Sequence, residues 1–494
     1  MSSSVTAAAT AAATSTAPLV AAVLEAARRR PRATAVVSAA TGRRESYGRL
    51  AERVARRAAE LRAVLPAAGH DEDGRRPVAA IEHESPEGVD LLVDVLAVAA
   101  TRAVALVRNP AHPAAVWQRQ RDVVDPAVTL GPGDALALAP RARPAWLHPG
   151  TYQLVSTSGS TGVPKLVQLT QQGTLGAAEV YRRRVPVQPG EAVAVPQSLA
   201  TVGALPSGVL PALLSGGTAV LGHGWGVRTF LDALAEHRAV FAMAVTGWWQ
   251  VCLTATWPPL PALRVLGVGG SPWHHLLPEV RHRLPGVEVL GNYGLTETHG
   301  PALQVSTAEV ADVAGLAGRP VPGIEAEVRD EAGAPRVPGE RGVLWLRGPL
   351  VTPGYAPAAL TGAAEDGWFR TGDVATTDAR GWVRVVDRAD DLVDVAGRKV
   401  YPAEVEAVLR PVPGVLDCAV VRADEPPGRG RLGAFVVAAP GGVDVAAARR
   451  AVREGVGSHA VPARLEVLAA LPRTGSGKVD REELRRRLGA AAAE

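Results

Sequence analysis

The feature that most constrains this chain is a short apolar run that leads directly into a loop of glycines and hydroxyl side chains. Tyr152 to Val155 has the composition of a β-strand, and Ser156 to Lys165 then supplies five hydroxyl side chains, two glycines and one lysine. Glycine lets the backbone curl closely around a ligand, and successive N–H groups in such a curl form an anion-binding nest. The pattern predicts a loop that holds a polyphosphate; the alternative is a flexible surface turn.

This loop is not the P-loop of nucleotide-hydrolysing switch proteins, because Leu166 follows the lysine where that motif places serine or threonine for magnesium. Only three of the 53 basic residues are lysines, namely Lys165, Lys399 and Lys478, and all three lie in glycine-containing segments. Lysine and arginine are not interchangeable where a compact ammonium must reach an oxyanion. The placement indicates contacts with phosphate or with a developing negative charge, with chance as the alternative, above all for Lys399.

The bulk composition is that of an ordinary soluble protein with two or more domains. The chain has 494 residues, 47% of them hydrophobic and 21% charged, and its net charge of +4 gives no sign of a nucleic-acid or membrane partner. It contains no run of about 18 strongly apolar residues, so we expect a cytoplasmic protein. Cys252 and Cys418 have no metal or disulfide spacing and are expected to be reduced core thiols, and segment 1–17 is expected to be a disordered tail.

The pattern of apolar runs predicts the fold class. Strand-like and helix-like segments alternate through most of the chain, which indicates parallel sheets covered by helices. Between Val321 and Val385 the pattern changes to short strands with glycine turns, as in an antiparallel sheet or barrel. We therefore predict an α/β fold with a large N-terminal domain over 18–388, including a small barrel-like subdomain, and a smaller α+β C-terminal domain over 389–494.

Two predicted strands run into glycine turns. Arg264 to Val268 leads into Gly269 and Gly270, and Val287 to Leu290 leads into a turn over 291–294. Neighbouring strand ends of this kind rim one cleft, which is where open sheets place ligands. We therefore expect a binding cleft at these strand ends.

Five motifs in order give the chain a resemblance to a known family. Residues 157–165 match every fixed position of the phosphate-binding loop of the adenylate-forming superfamily, which contains acyl-CoA synthetases, peptide-synthetase adenylation domains and luciferases. The resemblance extends over roughly residues 20–490, through the motifs described below. It implies that ATP is bound by Thr157, Ser158, Gly159, Ser160, Thr161, Gly162, Lys165, Gly270, Asn292, Tyr293, Gly294, Asp373 and Arg388.

The second and third motifs are Tyr293-Gly294-Leu295-Thr296-Glu297 and Thr371-Gly372-Asp373. The resemblance implies that Tyr293 stacks on the purine, Thr296 donates to the α-phosphate and Glu297 binds Mg²⁺, which prefers hard oxygen ligands. It also implies that Asp373 accepts hydrogen bonds from the ribose hydroxyls. The alternatives are a strand end with a helix cap for the second motif, and a turn-forming aspartate for the third.

The remaining motifs lie near the predicted domain boundary and near the C-terminus. By the resemblance, Arg388 contacts the ribose, and Asp390 is the hinge about which a mobile C-terminal lid rotates; a solvated charge cluster is the alternative. Asp387 replaces the glycine that is usual before this arginine, and Asp394 replaces a frequent lysine. Lys478 ends a glycine-containing loop and matches the catalytic lysine, which would stabilise charge as a carboxylate attacks the α-phosphate.

The presumed acid pocket departs from the family pattern. Matching the glycine of the family pattern puts Ala200 at the usual position of a gating histidine, and no histidine occurs from Pro196 to Ser215. Gly203 stands where amino-acid-activating domains carry an aspartate that pairs with an α-ammonium, which argues against an ordinary α-amino acid. Gly203, Trp248 and Gly269 are predicted to line the pocket, although Trp248 and Trp249 are equally explained as core residues.

The resemblance implies an enzyme that uses ATP and Mg²⁺ to convert a carboxylic acid into an acyl adenylate and pyrophosphate. It then transfers the acyl group to a thiol, either coenzyme A or the phosphopantetheine of a carrier protein. The altered gate favours a biosynthetic pathway. Transfer to an amine or another non-thiol nucleophile is the alternative, and a non-catalytic nucleotide-binding relative is a second alternative.

Overall fold

The computed structural model describes residues 17–65, 75–83, 88–101, 103–110, 112–131, 136–138, 145–157, 165–222, 224–310, 312–313, 315–356, 366–395, 398–423, 431–473 and 479–490. These residues belong to two compact units. The first unit lies within Met1–Val313, Gly318–Glu325 and Leu346–Phe369, and the second lies within Ala314–Ala317, Ala326–Trp345 and Arg370–Glu494.

Twelve α-helices occur in the described ranges. They are α1 (Pro18–Arg29), α2 (Tyr47–Val64), α3 (Val89–Ala99), α4 (Ala114–Val124), α5 (Gln171–Arg184), α6 (Leu210–Leu214), α7 (Val227–Glu236), α8 (Thr246–Cys252), α9 (Leu277–Arg283), α10 (Pro402–Leu409), α11 (Val445–Gly455) and α12 (Arg481–Ala490). Hydroxyl side chains cap two of them: Ser46 accepts from the Arg49 N–H at α2, and Thr170 accepts from the Gly173 N–H at α5.

The strands of the first half of the chain are β1 (Thr34–Ser38), β2 (Arg44–Ser46), β3 (Arg75–Arg76), β4 (Val78–Ile81), β5 (Val104–Val107), β6 (Val128–Leu130), β7 (Leu136–Leu138), β8 (Ala145–Trp146), β9 (Thr151–Thr157), β10 (Lys165–Thr170), β11 (Ala192–Val195), β12 (Thr218–Leu221) and β13 (Ala239–Val245). Those of the second half are β14 (Val265–Gly269), β15 (Glu288–Leu295), β16 (Gly300–Ser306), β17 (Arg319–Pro320), β18 (Glu325–Arg329), β19 (Gly342–Arg347), β20 (Tyr355–Ala356), β21 (Phe369–Thr377), β22 (Val383–Arg388), β23 (Val393–Val395), β24 (Arg398–Val400), β25 (Val415–Ala423), β26 (Arg431–Ala438) and β27 (Arg464–Leu468).

The first unit contains a nine-stranded and a seven-stranded sheet. The nine-stranded sheet has the order β17-β16-β15-β14-β13-β11-β12-β1-β2, and its central strands pair in parallel. The seven-stranded sheet has the order β20-β10-β9-β5-β4-β6-β7. Strands such as β4, β11 and β14 are apolar and buried along their whole length, as expected for parallel strands covered on both faces.

The phosphate-loop segment connects two strands of the seven-stranded sheet. Strands β9 and β10 are antiparallel, and Thr157 pairs directly with Lys165. The described residues on either side of the loop are therefore neighbours, which places Lys165 at the mouth of the β9–β10 hairpin.

The second unit contains a four-stranded sheet and a three-stranded sheet. The four-stranded sheet has the order β18-β19-β21-β22, with β21 and β22 antiparallel, and the three-stranded sheet has the order β25-β26-β27. Strands β25 and β26 share one apolar core with α10 and α11 and a smaller one with α12. The predicted α/β class, with a large N-terminal and a smaller C-terminal part, is confirmed; the boundary at 388/389 stays a prediction.

One local prediction was wrong in detail. The predicted turn over 291–294 is instead part of β15, which continues to Leu295. Glycine is needed there for close packing: a Cβ on Gly291 would lie 2.1 Å from the Trp273 ring, and one on Gly294 would lie 1.6 Å from the Gly300 carbonyl oxygen. A π-helical turn, Leu205–Val209, leads directly into α6.

Both cysteines are buried and free of disulfides, as expected, and burial raises the pKa of each thiol to about 12. Among the helices that the structure describes, none combines the length and the hydropathy that a membrane span requires.

Candidate active site

The residues expected to rim the cleft lie at the carboxyl ends of β14 and β15. Gly269 pairs with Asn292, and a Cβ on Gly269 would lie 2.7 Å from the Asn292 carbonyl oxygen, so glycine permits this close approach. The Asn292 side chain is buried and accepts from the Gln304 amide at 2.7 Å. Tyr293 follows at the half-buried end of β15. The structure therefore brings Gly269, Asn292 and Tyr293 together at one sheet edge.

Glu297 lies in a short 3₁₀ turn, Thr296–Thr298, directly after β15. The Thr298 hydroxyl accepts from the Leu295 N–H at 3.0 Å, which closes the turn. The Glu297 carbonyl accepts from the Thr352 N–H at 2.7 Å, which ties the turn to the segment before β20. The Glu297 carboxyl group is thus carried by a backbone that is fixed on both sides.

Tyr355 joins Glu297 to Lys165. The Tyr355 hydroxyl donates to Oε1 of Glu297 at 2.8 Å, and Nζ of Lys165 lies 5.8 Å from the centroid of the Tyr355 ring. This geometry follows from the sheet register, because Tyr355 in β20 pairs with Val167 in β10. Sequence reasoning missed Tyr355: a tyrosine 58 residues after Glu297 has no local signal that separates it from a packing residue.

Within the described residues, the Glu297 carboxylate has a hydrogen-bond partner at Oε1 and none at Oε2. The same part of the chain contains no group of three or more His, Cys, Asp or Glu side chains arranged to hold a metal. One carboxylate with a free oxygen is nevertheless a donor set that suits Mg²⁺, which commonly takes one or two protein carboxylates and completes its shell with phosphate oxygens and water. The residues present therefore fit a nucleotide-bound magnesium ion.

In the second unit, Asp373 and Arg388 are cross-strand neighbours. They pair directly in the β21–β22 ladder, and Nη1 of Arg388 donates to Oδ1 of Asp373 at 3.2 Å. Asp373 is buried, whereas Arg388 is half-exposed. Gly372 has a φ of +77°, and a Cβ there would lie 3.1 Å from the Arg388 guanidinium. The glycine of the motif thus leaves room for the arginine.

Asp387 uses its carboxylate to fix the backbone beside the predicted hinge. One oxygen accepts from the Arg388 N–H and the other from the Ala403 N–H, each at 2.8 Å. Burial raises the pKa of this carboxyl to about 6, against the two N–H groups and Arg481, which lower it. Asp390 itself lies in a 3₁₀ turn, Ala389–Asp391.

The predicted pocket residues have different environments. Gly203 lies near the Gln197 amide, which would be 3.6 Å from a Cβ at that position. Trp249 is fully buried and donates to the Gly267 carbonyl at 2.8 Å, so it is a core residue. Trp248 is half-buried in α8, and its role stays a prediction.

Several predicted residues lie outside the described ranges. Ser158, Gly159, Ser160, Thr161 and Gly162 of the phosphate loop are among them, as is Lys478. Their expected roles therefore remain predictions. The described flanking residues are Thr157 and Lys165 on the first loop, and Arg473 and Val479, which form an antiparallel bridge, on the second.

Comparison with known proteins identifies the family to which the chain is similar. Residues 119–356 match the family described as AMP-binding enzyme, and residues 404–478 match the AMP-binding enzyme C-terminal domain. A feruloyl-CoA synthase from Amycolatopsis sp is 35% identical over 343 residues, covering 68% of this chain and 70% of the relative.

Two solved structures show the same fold. The amide bond synthetase McbA from Marinactinospora thermotolerans superimposes with a TM-score of 0.82 at 24% identity, covering 95% of this chain and 99% of that one. The o-succinylbenzoate coenzyme A synthetase MenE from Bacillus subtilis, in complex with ATP and magnesium ion, gives a TM-score of 0.78 at 24% identity, covering 94% and 99%. The chain therefore belongs to the AMP-binding enzyme family and is an AMP-forming ligase of the adenylate-forming superfamily.

Proposed function

We propose that this ligase adenylates a carboxylic acid with MgATP and transfers the acyl group to coenzyme A. The observation that carries the proposal is the chain of contacts from Lys165 through Tyr355 to Glu297. It joins a cation at the end of the phosphate loop to a carboxylate with a free oxygen. A triphosphate with a divalent cation needs such a combination, because one group must face the anion and the other must face the metal.

In this proposal Lys165 contacts the phosphates together with the loop residues 157–162. Glu297 would hold magnesium, which when bound neutralises charge on the phosphate oxygens. Thr296 donates to the α-phosphate, and Tyr293 stacks on the purine. Asp373 accepts from the ribose hydroxyls, with Arg388 holding its carboxylate. These roles agree with the half-buried positions of Tyr293, Thr296 and Glu297 around one turn.

The first half-reaction joins two anions. An oxygen of the substrate carboxylate forms a bond to the α-phosphorus, and the bond from that phosphorus to the bridging oxygen breaks, so that pyrophosphate leaves with the electron pair. Lys478 supplies positive charge where charge accumulates in the transition state. In the second half-reaction the thiol sulfur attacks the acyl carbon, and AMP leaves.

The names of relatives support coenzyme A as the acceptor, since the feruloyl-CoA synthase named above is 35% identical to this chain. An amine is the second candidate, because the amide bond synthetase shares the fold and no histidine occurs from Pro196 to Ser215. A carrier-protein phosphopantetheine is a third acceptor of the same thiol chemistry. Asp390 serves as the hinge about which the C-terminal lid rotates between the two half-reactions.

ATP–pyrophosphate exchange tests the first half-reaction. We expect magnesium-dependent exchange with one class from a panel of aryl, short and medium aliphatic, and β-amino acids. Lys478→Ala should abolish exchange while ATP binding persists. The surface variant Arg228→Ala, at an exposed cation in α7, should behave as the wild type. Exchange that is unchanged in Lys478→Ala would refute the assignment.

The acceptor is tested with the acid that supports exchange. The enzyme is incubated with ATP and that acid, and with coenzyme A, a phosphopantetheinylated carrier protein or a primary amine in turn. Mass spectrometry then identifies a thioester or an amide. An amide as the only product would replace coenzyme A with the second candidate.

A further inference from the structure

His299 is a buried histidine two residues after Glu297, and the reaction outlined above gives it no role. Its side chain has no exposed surface. Its φ is +55°, in the left-handed region that non-glycine residues rarely adopt. It follows the 3₁₀ turn of Glu297 directly and precedes β16. A constrained, buried, polar residue beside the predicted metal ligand calls for a physical explanation.

The hydrogen bonds of the ring determine its tautomer. Nδ1 lies 2.8 Å from the Leu350 carbonyl oxygen, which can only accept, so Nδ1 carries the proton. Nε2 lies 2.7 Å from the Thr170 backbone nitrogen and accepts a hydrogen bond from its N–H. The Thr170 hydroxyl oxygen also lies 3.2 Å from Nε2. Both ring nitrogens therefore have backbone partners, and a protonated ring would lose the bond from the Thr170 N–H.

These two bonds connect three segments of the site. Thr170 ends β10, the strand that begins with Lys165. Leu350 precedes Thr352, whose N–H donates to the Glu297 carbonyl and whose hydroxyl donates to the Gln168 carbonyl at 2.8 Å. His299 thus lies where the Lys165 strand, the Glu297 turn and the segment leading to Tyr355 meet.

The neighbouring helix is shaped to admit the ring. A Cβ on Gly173, in the first turn of α5, would lie 2.5 Å from Cε1 and 2.5 Å from Nε2 of His299. No side chain larger than hydrogen fits there unless the ring moves. The imidazole therefore fills a space bounded by α5, β10 and the Leu350 segment.

We infer that His299 is a positioning residue that holds the Glu297 carboxylate, the Tyr355 hydroxyl and the Lys165 strand in one arrangement. It acts through backbone hydrogen bonds and touches no reacting atom. Its catalytic consequence rests on the proposed function, because only a ligase that uses Glu297 and Lys165 with MgATP would lose rate when these groups separate.

His299→Asn tests the inference kinetically. Asparagine tolerates the left-handed backbone and can replace the bond to Leu350, but it is too short to reach the Thr170 N–H. We expect the exchange kcat to fall roughly tenfold to a hundredfold, because small displacements of positioned groups lower the rate by factors of this size. The magnesium concentration for half-maximal rate should rise, because Glu297 is displaced.

Tyr47→Phe is the matched control. The Tyr47 hydroxyl is fully buried and donates to the Gly217 carbonyl at 2.7 Å, away from the site but in the same unit. Its loss should lower the melting temperature and leave both kcat and the magnesium dependence unchanged. A merely structural His299 would give the same result, so an unshifted magnesium dependence in His299→Asn overturns the inference.

A double-mutant cycle tests the packing directly. Gly173→Ala should resemble His299→Asn, because its methyl group displaces the ring. In the His299→Asn background the same alanine should cost little more, since Cε1 and Nε2 are gone. Gly489→Ala, at a helical glycine with open space around it, controls for helix propensity. Additive effects of the two site substitutions would contradict the inference.

Hydrogen–deuterium exchange measures the same arrangement without activity. In His299→Asn the amides of Thr170 and Thr352 should exchange faster, whereas Tyr47→Phe should leave them unchanged. If the wild type shows no pyrophosphate exchange with any acid, the proposed function fails, and the amide exchange rates still decide whether His299 holds these segments. If the wild type is active and His299→Asn matches it in every assay, only the inference about His299 fails.

Discussion

Replacing His299 with asparagine should flatten the pH dependence of stability of the unit that contains Glu297. Burial lowers the pKa of the His299 imidazole to about 4, although the hydrogen bond to Leu350 opposes this shift. In the unfolded chain the imidazole has a pKa of about 6.5. Between these two values the unfolded chain binds a proton that the folded chain does not, so stability falls as the pH drops.

The magnitude follows from the two pKa values. One pKa unit corresponds to about 1.36 kcal/mol, so the full shift is worth about 3 kcal/mol. Most of the loss occurs between the two pKa values. Lowering the pH from 7 to 5 should therefore remove about 2 kcal/mol from the free energy of unfolding through His299 alone.

The variant loses this dependence but also loses a hydrogen bond. At pH 7 we expect His299→Asn to be less stable than the wild type by about 1–3 kcal/mol, because the Thr170 N–H is left buried without a partner. At pH 5 the difference in the free energy of unfolding between the wild type and the variant should be smaller by about 2 kcal/mol. Other groups titrate in this range, but they are the same in both proteins and cancel in the difference.

Urea denaturation at several pH values between 5 and 8 measures this difference. Tryptophan fluorescence mainly reports the first unit, since eight of the ten tryptophans lie within its ranges. His282→Asn, at an exposed histidine of α9, is the matched control and should follow the wild type. Parallel curves for the wild type and His299→Asn would refute the reasoning, because they would mean that burial does not depress the pKa of His299.

Three further variants test the site. Tyr355→Phe removes the 2.8 Å hydrogen bond to Glu297 and should lower the pyrophosphate-exchange kcat about tenfold; a rate equal to the wild type would exclude a role for the hydroxyl. Arg388→Gln should raise the KM for ATP several-fold with a smaller effect on kcat, which initial rates at varied ATP would show, because Asp373 loses its charged partner. Asp387→Asn should remove about 1–2 kcal/mol of opposite pH dependence between pH 5 and 8, measurable by urea denaturation followed by far-UV circular dichroism, because Asp387 lies in the second unit. Since burial raises the Asp387 pKa to about 6, the wild-type carboxyl stabilises the fold below pH 4 and loses this contribution as the pH rises through 6; a variant that parallels the wild type would contradict the shift.

The local motifs in the sequence were sufficient to predict the family and the fold class. The phosphate loop, the Thr296-Glu297 motif and the C-terminal lysine motif each consist of residues close together in the chain, and their chemistry depends on residue type and short spacing. The alternation of apolar strands with amphipathic helices predicts the helix-covered sheets for the same reason, because both periodicities are local. The specificity for the acid and the choice of acceptor have no comparable local pattern.

The contacts that hold the site together depend on tertiary structure. Tyr355 meets Glu297 across 58 residues, and His299 meets Thr170 across 129, because β20 pairs with β10 and the Glu297 turn packs beside them. In the sequence Gly173 is indistinguishable from any other glycine in a helix. Only the position of the His299 imidazole shows why no larger side chain fits there. Motif chemistry is encoded locally, whereas the register between distant strands depends on burying many apolar residues at once, and that register decides which side chains support the motif.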